Sequence, residues 1–210
     1  MATLHRTLAL LSIVILCSLL AGLVRRGKSS QCLTFSVYIA CVTVFTLLIQ
    51  AFPSHYSPEA FTIKQAIYDC LLFGMALELS YRAFAAFRGI GPRIRAWLAL
   101  AVAISSILIF WLTPADPDYA HLSQYQPAIT TAGIWCLSFV GLLIVWYQIP
   151  VPAFTRSIFL AYVPYLLVFV TCTDLLGRLG WGEVQHLNVA NAAAYDIAIS
   201  YLSFSAWQKD

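Results

Sequence analysis

Charge is what this sequence has least of. Only 10% of its 210 residues are Asp, Glu, Lys or Arg, against about 25% in an ordinary soluble domain. With 61% hydrophobic residues and a mean hydropathy of +0.81, that scarcity excludes a soluble enzyme, a disordered tail and a nucleic-acid-binding module. The six cysteines form no Cys-x-x-Cys pair, and all fall inside apolar runs. They read as small packing residues, which excludes a thiol oxidoreductase needing paired, accessible sulfurs.

Other absences narrow the chemistry further. The lysines are Lys28, Lys64 and Lys209, none inside the last apolar run, so no Schiff base to retinal can form there. The four histidines, His5, His55, His121 and His186, avoid the middle of every apolar run. Haem ligation of the cytochrome b type, an intramembrane zinc hydrolase and a Ser/His protease dyad all need histidine at that depth, so neither retinal nor covalently held haem is expected. Sugar carriers of the 3+1+3 type share the helix count, but Gln148-Ile149-Pro150 is not their Pro-Gln signature. No long loop exists either: the longest, 114–126, is about 13 residues, too short for a soluble catalytic or ligand-binding domain.

What remains is seven apolar runs, near 4–24, 32–52, 63–87, 95–113, 127–149, 157–177 and 188–207. A hydrocarbon core of about 30 Å needs roughly 20 helical residues at 1.5 Å each, and every run is of that order. The alternating pattern of barrel strands is missing. The expectation is an all-α, polytopic membrane protein, one seven-transmembrane-helix bundle over 1–210. Arg25, Arg26 and Lys28 follow the first run where a small-residue cleavage site would stand, so that run reads as an anchor and not a signal peptide.

Loop charges give orientation. Arg25, Arg26 and Lys28, then Arg88, Arg93 and Arg95, then Arg156 and Lys209 fall on one side. Glu59, Asp116, Asp118 and Glu183 fall on the other. Positive charge is retained in the cytoplasm, which places the N-terminus outside and the C-terminus inside.

The second and sixth runs align at a constant offset of 124, pairing Phe35 with Phe159, Tyr38 with Tyr162 and Phe45 with Phe169. The third and seventh align at 127, pairing Tyr68-Asp69 with Tyr195-Asp196. Parallel repeats of this kind occur in membrane carriers, and chance matches also arise in a chain with 14% aromatics.

Ionisable groups inside a bilayer are costly and are functional candidates by default. Here they are Asp69, Glu78 and Arg82 on the third run, Asp174 on the sixth and Asp196 on the seventh, joined there by the polar Asn191. Together they suggest a polar seam on helices 3, 6 and 7. Glu78 and Arg82, four apart, share a helix face and pair, as a structural clamp before a transport element. His55, His121 and His186, one in each outer loop, are the only metal candidates, without ligand spacing to support them.

The stretch Leu-Glu-Leu-Ser-Tyr-Arg-Ala-Phe-Ala-Ala-Phe-Arg, Leu77 to Arg88, leads on to Trp97. It resembles a family of seven-helix bacterial inner-membrane proteins whose third helix ends in a similar Glu–Arg–aromatic pattern. That resemblance implies a family and an inner-membrane location, with no activity attached. The residues themselves favour a non-catalytic protein, a sensor or an accessory or structural subunit of a membrane complex. Its partners are then the lipid bilayer and either another membrane protein or a second copy of the chain. The alternative is a small-solute or proton-coupled transporter using the polar seam.

A reporter fused after Asp210 is expected to read cytoplasmic, and one inserted within 114–126 external. The reverse pattern would overturn the orientation.

Overall fold

A computed structural model describes residues 2–52, 57–84, 121–179 and 184–208, with 93, 96, 97, 100 and 104 between them. Among the described residues every regular element is helical. They are α1 (Ala2–Arg25), a 3-10 turn at Lys28–Ser30, α2 (Leu33–Ala51), α3 (Pro58–Phe84), α4 (His121–Trp146), α5 (Ala153–Leu179) and α6 (Val184–Trp207). These correspond to six of the seven apolar runs. Of the fourth run, 95–113, only Ala96, Trp97, Leu100 and Ile104 are among the described residues, each helical. Helix α4 begins at His121, ahead of the expected 127. Its first turns are polar (Gln124, Gln126) and carry no apolar period, so hydropathy could not see them.

Among the described residues four helices are long and apolar enough to cross a membrane: α1 over Thr7–Arg25, α2 throughout, α3 over Ala60–Arg82 and α5 over Ala153–Cys172. Helix α4 contributes a shorter apolar stretch, Thr131–Trp146. This is the architecture of an integral membrane protein.

The local sequence explains most helix ends. Ser57 caps α3, accepting the Ala60 N–H at 3.2 Å, and Pro58 occupies the first helical position, where its missing N–H costs nothing. Helix α1 stops at Gly27, whose φ of 67° is readily available only without a Cβ. Helix α4 stops at Gln148 in the same left-handed region, φ 49°. There the Gln148 and Ile149 N–H groups return to the carbonyls of Val145 (3.3 Å) and Ile144 (3.0 Å). That bond pair is a Schellman closure, which offsets the strain of a non-glycine residue at positive φ.

The described helices form two compact units. One comprises residues 1–31 and 152–210, in which α6 packs against both α1 and α5. Its core is Leu16, Leu19 and Leu23 of α1 with Phe154, Ile158 and Tyr162 of α5 and Ile199 and Leu202 of α6. Gly22 allows the closest approach: a Cβ there would meet Trp207 Nε1 at 3.0 Å. Lipid is as apolar as leucine, so such close packing and interhelical hydrogen bonds hold membrane helices together.

At one end of this unit Lys28 is only 3% exposed. The sequence places it in a basic loop facing water; the structure buries it instead. Its Nζ donates to the carbonyls of Ser205 (3.1 Å) and Gln208 (2.9 Å), the last turn of α6, and lies 5.8 Å from the Phe154 ring centre. The end of a helix carries unpaired carbonyls and partial negative charge, which an ammonium satisfies on both counts. Arg25 adds a cation over the Trp207 ring, 5.8 Å from its centre.

The other unit, residues 32–151, holds α2, α3 and α4, with α3 packed against both neighbours. Phe35, Tyr38 and Ile39 of α2, Met75 and Leu79 of α3, and Ile134, Leu137 and Val140 of α4 are buried. Tyr68 meets Tyr38 at 5.5 Å and Phe45 at 5.9 Å between ring centres.

Replacing Lys28 with methionine keeps the stem but removes two charge-assisted bonds, each worth about 1.5–3 kcal/mol in a soluble protein. Lys28→Met is therefore expected to lower the melting temperature in detergent and to speed hydrogen exchange in the last turn of α6. An unchanged melting temperature and exchange profile would show that the ammonium does not hold that helix end.

Candidate functional site

Helix α6 carries the richest polar set, arranged on two faces by its 3.6-residue period. Asp196 and Ser203, two turns apart, turn toward α1. Ser12 Oγ donates to Asp196 Oδ1 at 2.5 Å, and Ser203 Oγ donates to Ser18 Oγ at 3.1 Å. One turn further, Trp207 Nε1 reaches the Ser18 carbonyl and hydroxyl at 3.2 and 3.3 Å. Tyr195 and Ser205 turn toward α5. Ser205 Oγ donates to Ser157 Oγ at 2.7 Å, and the Tyr195 and Tyr165 rings lie 5.1 Å apart.

Asp196 differs from the other ties. It is 6% exposed, its Oδ1 is occupied by Ser12, and its Oδ2 is buried without a hydrogen-bond partner. Buried polar atoms are normally paired, because leaving one unpaired costs about 1–3 kcal/mol. The carboxylate thus keeps spare acceptor capacity at a depth where it is expensive. Asn191 Oδ1, five positions earlier, is also buried and unpartnered. Asp196 lies about 140° around the helix from it, so the two do not share a face.

In the other unit, Asp69 is likewise 6% exposed. Glu78 and Arg82 form the expected pair, with Arg82 Nη2 2.9 Å and Nε 3.1 Å from Glu78 Oε1. The same carboxylate also accepts the Leu33 N–H at 2.9 Å and the Thr34 N–H at 2.7 Å. Those are first-turn donors of α2, whose N-cap residue, Cys32, makes no side-chain cap of its own. Glu78 therefore caps a neighbouring helix, and a negative charge suits that position. Arg82, 39% exposed, supports it from the outside.

The proposed seam thus falls into two groups. Asp69, Glu78 and Arg82 belong to the α2–α3–α4 unit, and Asn191 and Asp196 to the α1–α5–α6 unit. Asp174 lies on α5 in the latter unit, but its side chain is outside the described residues. Of the metal candidates, His55 and the His121 side chain are also outside them, while His186 is exposed on α6. Among the described residues no three His, Cys, Asp or Glu side chains converge on a metal position.

No protein-family model, no curated protein and no solved structure matches this chain. The site must be read from its own geometry. That geometry adds Ser12, Ser18, Ser157, Ser203 and Ser205, which hydropathy passes over because serine scores near neutral and carries no period. Spacing offered one signal: Ser12 is the single polar residue between Leu8 and Cys17.

Because Glu78 serves α2 as well as Arg82, the two ends of the pair are not equivalent. Glu78→Ala strands two backbone donors and is expected to cost about 0.5–2 kcal/mol, the range of a lost helix cap. Arg82→Ala removes only a partly exposed i,i+4 pair, worth about 0.3–0.5 kcal/mol. Detergent melting should order the variants Glu78→Ala well below Arg82→Ala, with the double variant close to Glu78→Ala. Equal losses from the two single changes would refute the capping role.

Proposed function

We propose that this is a non-catalytic integral membrane protein that works as a sensor or as an accessory subunit of a membrane assembly. It takes seven spans in the inner membrane of a bacterium, with the N-terminus outside. The observation that carries the reading is how the polar side chains are spent. Glu78, Lys28, Ser18, Ser157 and Trp207 all bind backbone or side chains of neighbouring helices or turns. Chemistry placed this way fixes helices relative to one another. The outward faces meanwhile carry Trp135, Phe139, Leu142, Ile197 and Phe204, apolar groups suited to lipid or to another transmembrane helix.

One observation favours the second reading, a small-solute or proton-coupled transporter: the unpartnered, buried Oδ2 of Asp196. Intramembrane carboxylates with spare capacity mark ion and proton paths in other membrane proteins.

Purification in mild detergent from native membranes separates the readings. A protein partner recovered in fixed ratio to this chain supports the accessory role. A chain that purifies alone and drives uptake in proteoliposomes, with Asp196→Asn abolishing that uptake and leaving the fold intact, refutes it in favour of transport. With the native cysteines replaced, Asp196→Cys reports hydration directly. Ready reaction with a water-soluble thiol reagent supports the transport path. Complete protection in a folded protein removes it.

A further inference from the structure

The two units are built alike, and the likeness extends to details that an amphipathic pattern alone does not impose. In each, a central helix carrying Tyr-Asp packs against two neighbours: α6 against α5 and α1, and α3 against α2 and α4. The pairs α5–α6 and α2–α3 are both antiparallel, as Ser157–Ser205 with Tyr165–Tyr195 and Thr34–Glu78 with Phe45–Tyr68 show.

On the central helices, the buried positions 69, 72, 75, 76 and 79 fall at an offset of 127 on 196, 199, 202, 203 and 206, all buried. On the antiparallel partners, Phe35, Tyr38 and Val42 fall at an offset of 124 on Phe159, Tyr162 and Leu166, again all buried. The tyrosines even compensate. Where the first copy has the small Cys41, Tyr68 reaches past it to Tyr38 and Phe45. The second copy has Tyr165 there, and Tyr195 stacks on it, while Tyr165 meets Tyr162 and Phe169.

The third pair of helices, α1 and α4, shows no sequence likeness, yet they end identically at an offset of 121. Gly27 and Gln148 are the only described residues at positive φ. Arg26 N–H returns to Gly22 and Gly27 N–H to Val24; Tyr147 N–H returns to Leu143 and Gln148 N–H to Val145. These two bonds correspond one to one, while α4 adds a third from Ile149 N–H to Ile144. The offsets of 121, 124 and 127 grow by three per helix, as small changes in connection length produce in a copied segment.

We infer that the chain is a tandem pair of one three-helix repeat, assembled with the first helix of each repeat packed on the third helix of the other, and that Asp69 is a second copy of the site centred on Asp196. This goes beyond the functional reading above and holds for either form of it. Glu78 in the first copy is matched by Ser205 in the second, and Lys64 by Asn191, so those charges belong to one copy alone. Asp69 and Asp196 are the buried charge that both copies carry, and both are 6% exposed. A carboxylate is expensive inside a membrane, and a repeat that keeps it twice while other charges change keeps it for use. At Asp196 the ligand class is a hydrogen-bond-donating group, of the kind Ser12 supplies to Oδ1. At the offset of 121, Ser12 falls on Gly133 of α4, which sits close against Leu72 in the unit that holds Asp69.

Cysteine cross-linking in the full-length chain, in membranes and with native cysteines replaced, tests the exchange. The pair 12/196 and its repeat counterpart 133/69 are both expected to form intramolecular disulfides. Linking at only one of them, or at neither in variants that remain monodisperse, would overturn the exchanged repeat. Single Asp69→Cys and Asp196→Cys variants test the equivalence of the sites. Both are expected to react with a water-soluble thiol reagent, or both to be protected. One open and one sealed would show that the two carboxylates are not copies. Protection of both would remove the transport reading yet leave the repeat standing.

Discussion

The N–H groups of Leu33 and Thr34 and the last carbonyls of α6 face one problem. Helix ends leave backbone donors and acceptors unpaired, and near or inside a hydrocarbon layer water is not there to take them. In one unit a carboxylate from α3 solves it, and in the other an ammonium from the turn after α1. The remaining polar contacts follow the same rule. Serines bond to serines across α1–α6 and α5–α6, and the Trp207 ring nitrogen finds the Ser18 carbonyl. Core packing by Leu16, Leu23, Phe154 and Leu202 fills the space between these ties.

Against that background Asp196 stands out by what it leaves unused. Every other described polar side chain engaged across α1 and α6 serves a neighbour, whereas one oxygen of this carboxylate serves none. An accessory protein could retain such a group to bind a partner's donor, and a transporter could retain it to bind a solute or proton. The repeat gives the choice more weight, since whatever Asp196 does concerns Asp69 as well.

How much of this the sequence disclosed depends on range. The helices were legible because a bilayer dictates span length and apolar content, and six of the seven runs reappear as α1 to α6. The Glu78–Arg82 pair was legible because four residues of spacing put both on one face. Its real task was not, because the α2 donors that Glu78 satisfies are 44 and 45 positions away in the chain. Lys28 misled for the same reason: its neighbours Arg25 and Arg26 mark a water-facing loop, while its partners lie at Ser205 and Gln208. The seam draws on both units, with residues 69 to 82 in one and 174 to 196 in the other. Offsets in the sequence suggested the repeat on two helices. Only backbone geometry at Gly27 and Gln148 extends it to α1 and α4, where side chains have diverged.

The Lys28 contact also sets an order on biogenesis. Its partners lie 177 and 180 positions downstream, so that much more chain must be made before they exist. Chains emerge N-terminal end first, at about 5–20 residues per second. For that interval, roughly ten to forty seconds, Lys28 lacks these two carbonyls and α1 has no α6 to lean on. The burial of Lys28 in the finished fold depends on the arrival of α6. Insertion of the last helix is therefore the event that closes the first one.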